Sequence, residues 1–165
     1  MKYCSKCGAE LLDDAVICPK CGCSTNTAGT ERPVIQLKTN RSLLKFILLS
    51  IITLGIYGIV VMSKVSTDIN TIASRYDGKK TMHYCLVLFI FSWLTLGIVP
   101  LVWSHRISAR IGNELNRRGI DYKFGAGTFW GWGILGILIL VGPFIYTHKL
   151  LKSMNLLSAD FNQKG

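Results

Sequence analysis

The sequence predicts two unlike parts: a small head built on β-hairpin knuckles, and an all-α module of three hydrophobic helices, each followed by an amphipathic helix. Three observations predict this. Cysteine is concentrated at the start of the chain, where Cys4, Cys7, Cys18, Cys21 and Cys23 precede a single later cysteine, Cys85. Three long stretches exclude charge: Phe46–Ser63 (18 residues), Tyr84–Ser104 (21) and Phe124–Thr147 (24). Half of the 165 residues are apolar and 17% are charged, below the usual share of about a quarter. A helix of about 20 residues is about 30 Å long, the thickness of a bilayer's hydrocarbon core. This composition speaks against a soluble enzyme of the common kinds. It also speaks against intrinsic disorder, which needs low hydrophobicity.

The head spans residues 1–23. Cys4-Ser5-Lys6-Cys7-Gly8 and Cys18-Pro19-Lys20-Cys21-Gly22 are two C-x-x-C-G knuckles with ten residues between them. Zinc takes four soft ligands in a tetrahedron, and two tight turns each offer a pair of thiolates. The expected cofactor is one structural Zn²⁺ on Cys4, Cys7, Cys18 and Cys21. Glycine after each knuckle lets the backbone turn its N–H groups toward the sulfurs, and Lys6 and Lys20 offset the negative charge of the thiolates. Ala9–Ile17, with Asp13-Asp14 as a turn, reads as a short hairpin. So small a head buries little, and metal supplies its folding energy. Reduced thiolates place the N-terminus in the cytoplasm, and no cleavable signal peptide is expected. A closed four-thiolate site leaves no open position for catalysis. Met1–Cys23 resembles the zinc-ribbon head found at the N-terminus of many bacterial membrane proteins.

Residues 24–40 are polar, contain Gly29 and Pro33, and follow neither a helical nor a strand period, which reads as a flexible linker. Residues 41–165 then repeat about every 42 residues. Thr53-Leu54-Gly55-Ile56 recurs as Thr95-Leu96-Gly97-Ile98. In the same register Lys64 falls on Arg106 and Ile69 on Ile111, and a third copy sets His148 on His105 and Lys149 on Arg106. Each unit is an apolar segment (about 43–63, 84–104 and 126–147) interrupted by Gly or Pro, then a basic exit, then an amphipathic helix. The followers carry apolar residues at helical spacing: Val65, Ile69 and Ile72; Ile107, Ile111 and Leu115; Leu150, Met154 and Leu157.

On these motifs Leu43–Asn162 resembles the bacterial membrane family catalogued as domain of unknown function 4234. The resemblance rests on the repeated T-L-G-I helices with basic exits and on the closing Gly142-Pro143-Phe144-Ile145-Tyr146-Thr147-His148-Lys149-Leu150. It implies an integral protein of the bacterial inner membrane and brings no known activity. More loosely, Leu54-Gly55-Ile56 with Ser63-Lys64-Val65 is similar to the dispanin pattern of interferon-induced transmembrane proteins.

Three ordinary spans, with the head inside, would put 12 basic residues in the cytoplasm and 7 outside. That orientation obeys the positive-inside rule, but every connection is basic and the contrast is small. The alternative makes the Gly- and Pro-containing interruptions hairpin turns. Each segment then dips into one leaflet, and all the basic followers lie on the anionic cytoplasmic face.

No catalytic constellation stands out, and a non-enzymatic protein is expected. His83, His105 and His148 sit at segment edges. Lys64, Arg106 and Lys149 suit lipid headgroups at helix exits, as do the clusters Lys79-Lys80 and Arg117-Arg118. Gly127 and Gly131 form a G-x-x-x-G that suits close helix packing within or between chains. Asp68, Asn70, Asn113, Glu114, Asn116 and Asn155 suit polar contacts between repeats, and Trp93 suits packing. The expected partners are membrane lipids, a protein bound through the ribbon, and a second copy of the chain; nucleic acid is disfavoured. The functional expectation is a membrane-anchored partner-binding or sensing ribbon. Its rivals are a component of a small-molecule transporter or channel, and a membrane-remodelling protein with re-entrant helices.

Overall fold

The computed structural model describes residues 2–3, 10–12 and 36–165. The chain divides into two units, Met1–Ile35 and Gln36–Gly165. In the first, strands β1 (Lys2–Tyr3) and β2 (Glu10–Leu11) pair antiparallel, with Lys2 opposite Leu11 and Tyr3 opposite Glu10. The expected β-hairpin knuckles are not seen among the described residues. Their only strand pairing joins the segments on either side of the first C-x-x-C, whereas the hairpin expected over Ala9–Ile17 lies mostly outside them.

The second unit is helical, and its three apolar segments are not three spans. Each breaks and turns back. α1 (Leu43–Ile52) packs against α2 (Ile56–Asp77), with Thr53-Leu54-Gly55 between them. The second segment runs through α3 (Tyr84–Leu86), a π-helical stretch (Val87–Phe91) and α4 (Ser92–Leu94). It turns at Thr95-Leu96-Gly97 and continues as α5 (Ile98–Arg117). The third runs through α6 (Ala126–Thr128), a π-helical stretch (Phe129–Ile134) and a 3₁₀ stretch (Leu135–Ile139). It turns at Leu140 and continues as α7 (Gly142–Lys164). The expectation of three hydrophobic membrane helices is therefore corrected: no described helix is long and apolar enough to cross a membrane. The physical reason is local. α1 has 10 residues, about 15 Å, and the longer α2, α5 and α7 become amphipathic after their first two or three turns.

Threonine makes the turn in the first two repeats. Thr53 Oγ1 donates to Leu49 O (2.6 Å) and accepts from Tyr57 N (2.9 Å). Thr95 Oγ1 does the same with Phe91 O (2.5 Å) and Val99 N (3.2 Å). One hydroxyl thus closes the end of the incoming arm and caps the start of the outgoing one. Gly55 and Gly97 take left-handed φ of 91° and 86°, where a side chain is unfavourable.

The core lies between the followers. α2, α5 and α7 each pack against the other two, and Val65, Ile107 and Leu150 with Ile69, Ile111 and Met154 form one buried cluster. These are two sets of repeat-equivalent positions, and the three helices run in the same direction: Arg110 on α5 bonds Asn70 on α2, while Ser108 on α5 and Arg118 at its end bond Tyr146 and Asp160 on α7, each near its own repeat level. Entry segments are tied to this bundle at a third equivalent set. Asn155 on α7 accepts from Arg41 N (3.0 Å) and donates to Arg41 O (2.8 Å), at the start of the first hairpin. Asn70 on α2 accepts from Thr81 N (2.7 Å) and donates to Thr81 O (2.9 Å), at the start of the second. At the corresponding Gly112 of α5, the entry to the third hairpin approaches so closely that an added Cβ would collide with Phe124 O. Each repeat holds the entrance of the next, and the third holds the first. Asn162 likewise brackets Leu37, with bonds of 2.8 and 2.9 Å, so residues 37–41, the end of the expected linker, are held against α7.

Candidate functional site: three hairpin tips above a basic ring

The tips carry the unit's most exposed apolar side chains. Leu54 and Leu96 are each 94% exposed and Leu140 is 78% exposed. They are also the only non-glycine residues with positive φ among the described residues, at 50°, 49° and 61°. A left-handed leucine costs roughly 1–2 kcal/mol, and leaving the side chain in water forgoes about 1.5–3 kcal/mol of burial. In each repeat both penalties fall on one tip leucine, although Leu140 stands where the first two repeats place Gly55 and Gly97. Leu94, Leu138 and Ile139 are exposed around the tips. Trp93, expected to pack, stands 85% exposed beside the second tip.

Spacing along the outgoing helices repeats as well. Lys64, Arg106 and Lys149 each follow the last left-handed residue of their tip (Gly55, Gly97, Leu140) by 9 residues, about 14 Å of helix. The clasping positions Asn70, Gly112 and Asn155 each follow it by 15 residues, about 22 Å. The three residues expected at helix exits therefore form one level between the apolar tips and the polar base. Lys64 and Arg106 are exposed and Lys149 is half-buried. His105 sits at the same level, where its Nδ1 accepts from Trp130 Nε1 at 3.1 Å, and His148 is exposed beside Lys149.

Below that level the base is polar and internally paired. Arg110 is 8% exposed and donates to Asp77 (2.6 and 3.0 Å), Asn70 Oδ1 (2.5 Å), Thr81 Oγ1 (2.7 Å), Ser74 Oγ (3.0 Å) and Lys79 O (2.6 Å). Burial pushes the Asp77 carboxyl up, but Arg110 and the Lys79 N–H more than reverse this and hold it below the usual carboxylate range. Glu114, also buried, is held low by Arg117 and Arg118. Asp160 is held low against burial by Lys164 and Arg118. Asp68 goes the other way, because burial outweighs Arg41 and raises its carboxyl. Arg118, read from sequence as part of a lipid-facing cluster, instead ties α5 to α7 through Glu114 and Asp160, each at 2.7 Å.

An added Cβ at Gly127 or Gly131 would meet nothing within 4 Å, so the chain does not pack on that motif internally. Close approach occurs at Gly136 and Gly142, where an added Cβ on either would collide with the other's backbone. The expected zinc ligands Cys4, Cys7, Cys18 and Cys21 lie outside the described residues. Their donor set fits the metal, since two thiolate pairs supply the four soft ligands of a tetrahedral centre. The β1–β2 pairing, which joins Tyr3 to Glu10, brackets the first pair in the chain.

Comparison with known proteins gives two matches. Residues 41–113 match the model of the domain of unknown function DUF4234, covering the first hairpin and most of the second, and residues 3–25 match a zinc-ribbon domain. Neither the curated proteins nor the solved structures include a match to the chain. The chain thus carries a zinc-ribbon domain and, after it, a domain of the DUF4234 family.

Proposed function

We propose that this is a non-enzymatic, monotopic membrane protein. Its three hairpins dip into one leaflet of the cytoplasmic membrane, and the three-helix base and zinc ribbon stay at the cytoplasmic face. The observation that carries this reading is the tip leucine, strained and exposed in all three repeats. Water leaves the exposed side chain uncompensated; hydrocarbon returns its transfer free energy, which exceeds or matches the backbone strain. The dimensions agree with it. From tip to basic level is about 14 Å, close to half of a hydrocarbon core of about 30 Å, and Lys64, Arg106 and Lys149 then lie at headgroup depth. At the first two turns the glycine N–H is satisfied within the chain, as immersion requires: Gly55 N donates to Ser50 O (2.6 Å) and Gly97 N to Ser92 O (2.9 Å).

A wedge in one leaflet expands that leaflet, so the module would shape or sense curved membrane while it anchors the ribbon. The ribbon, with one structural zinc, is the natural docking head for a cytoplasmic protein. Because the hairpins turn back, transport is set aside in this reading.

Vesicle flotation tests it. The full chain floats with vesicles containing phosphatidylglycerol, and Leu54→Asp/Leu96→Asp/Leu140→Asp removes roughly 1.5–3 kcal/mol of apolar transfer per site, lowering partitioning at least 100-fold. The triple variant keeps the helical circular dichroism of the parent, because none of the three leucines touches the buried cluster. Undiminished flotation of the folded variant would sink the proposal.

A further inference from the structure

Beside Arg106 the second repeat opens into a cleft of about 780 Å³ between α2, α5 and the start of the second hairpin. Its walls divide by polarity along the helix axis. Toward the tip they are apolar, with Met82, Val99 and Trp103 backed by the buried Val87; toward the base they carry Lys79, Lys80 and Arg106. Arg110 and Arg117 also line it, but Asp77 and Glu114 engage them. Among the described residues no carboxylate pairs with Lys79, Lys80 or Arg106, so the cleft keeps an uncompensated positive charge at its base. Trp103 is fixed by its Nε1 bond to Met82 O at 2.8 Å and by Tyr84, whose ring centroid lies 4.9 Å away. The apolar wall is therefore pre-formed, as ligand clefts usually are. The first repeat builds a smaller version. A second cleft, about 240 Å³, is lined by Tyr57, Val61 and Lys64, the positions equivalent to Val99, Trp103 and Arg106.

We propose that the larger cleft binds one anionic amphiphile of the acidic phospholipid class. Its phosphate meets Lys79, Lys80 and Arg106, and its acyl chains lie along Met82, Val99 and Trp103. Polarity along the cleft matches the polarity of a lipid, and the cationic end lies at the depth of the headgroups when the tips are inserted. The proposal deepens the bilayer reading, on which its biological sense rests, but its measurement needs no bilayer.

The full chain is taken up in nonionic-detergent micelles doped with equal amounts of phosphatidylglycerol and phosphatidylcholine, and bound lipid is counted by native mass spectrometry. The first bound lipid is phosphatidylglycerol. Its occupancy falls about tenfold or more in Lys79→Glu/Lys80→Glu, and it is retained in Lys123→Glu/Lys152→Glu, which makes the same charge change outside the cleft. Both variants alter exposed side chains only, and circular dichroism verifies their fold. Excess inorganic phosphate does not displace the lipid. Equal binding of the two lipids, equal loss in both variants, or displacement by phosphate would each overturn the proposal, the last by showing a site for a free anion. Retained phosphatidylglycerol binding in a tip-aspartate variant that no longer floats would separate this site from insertion. Failure here with normal flotation would leave the bilayer reading standing alone.

Discussion

Leu54 shows most clearly how a single residue distinguishes stability from function. Its φ of 50° is a conformation that glycine adopts at no steric cost. Leu54→Gly therefore raises folding stability by about 1 kcal/mol, read as a shift in thermal midpoint, while it weakens vesicle binding. A variant that loses stability would show that the leucine is held in place by contacts within the fold. The tip was only partly legible. Thr-Leu-Gly announced a repeat, and the glycines announced an interruption, but hydropathy sums leucine the same way in a turn as in a helix. At Leu140 there was no signal, because the third repeat has no Thr-Leu-Gly and turns through a leucine where the other repeats place glycine.

At the scale of elements, the repeat unit is one hairpin plus a hold on the next. The amphipathic followers were readable from their spacing, and Val65, Ile69, Ile107, Ile111, Leu150 and Met154 all reach the core. The holds were not. Asn70 and Asn155 were visible as polar residues on the followers, but their partners are backbone groups 11 and 114 residues away, which no local pattern encodes. Arg110 anchors the second of these junctions. Arg110→Ala leaves Asp77 without its partner and opens the α2–α5 contact. Losing the hydrogen bonds of this buried guanidinium costs about 1–3 kcal/mol in chemical denaturation, and Arg110→Lys, lacking the planar fork, does not restore it. A loss under 1 kcal/mol would mean that the network is dispensable. The four cysteines expected to hold zinc form the clearest chemical pattern in the sequence, and residues 3–25 match a zinc-ribbon domain.

Within residues 36–165, which hold 15 basic and 5 acidic residues, charge is sorted by level rather than spread evenly. The ion pairs that hold the base set a pH limit. Asp77, Glu114 and Asp160 have carboxyls held below their ordinary values. Their stabilisation is complete above the unfolded carboxylate range, about pH 4, and is lost as pH falls through the lower folded values. Asp68, raised by burial, has the opposite sign: its protonation favours the folded state as pH falls. Three of these four carboxyls titrate in the direction that weakens the fold as pH falls. The thermal midpoint of the chain is expected to drop between about pH 5 and pH 3, and a midpoint that rises over this range would reject the assignment.

The same three apolar stretches read as spans in the sequence and fold as hairpins, and the two arrangements put the connection after α2 on opposite sides of a membrane. Arg75 is exposed in the last turn of that helix and lies outside the cleft. The most direct measurement is the reaction of Arg75→Cys, with Cys23 and Cys85 changed to Ser and the parent carrying only those two changes as the blank, with a membrane-impermeant thiol reagent in intact cells. Insertion of the three hairpins into one leaflet predicts labelling only after the cells are opened, in protein that sediments with the membrane. Labelling of intact cells would place Arg75 outside and contradict the account.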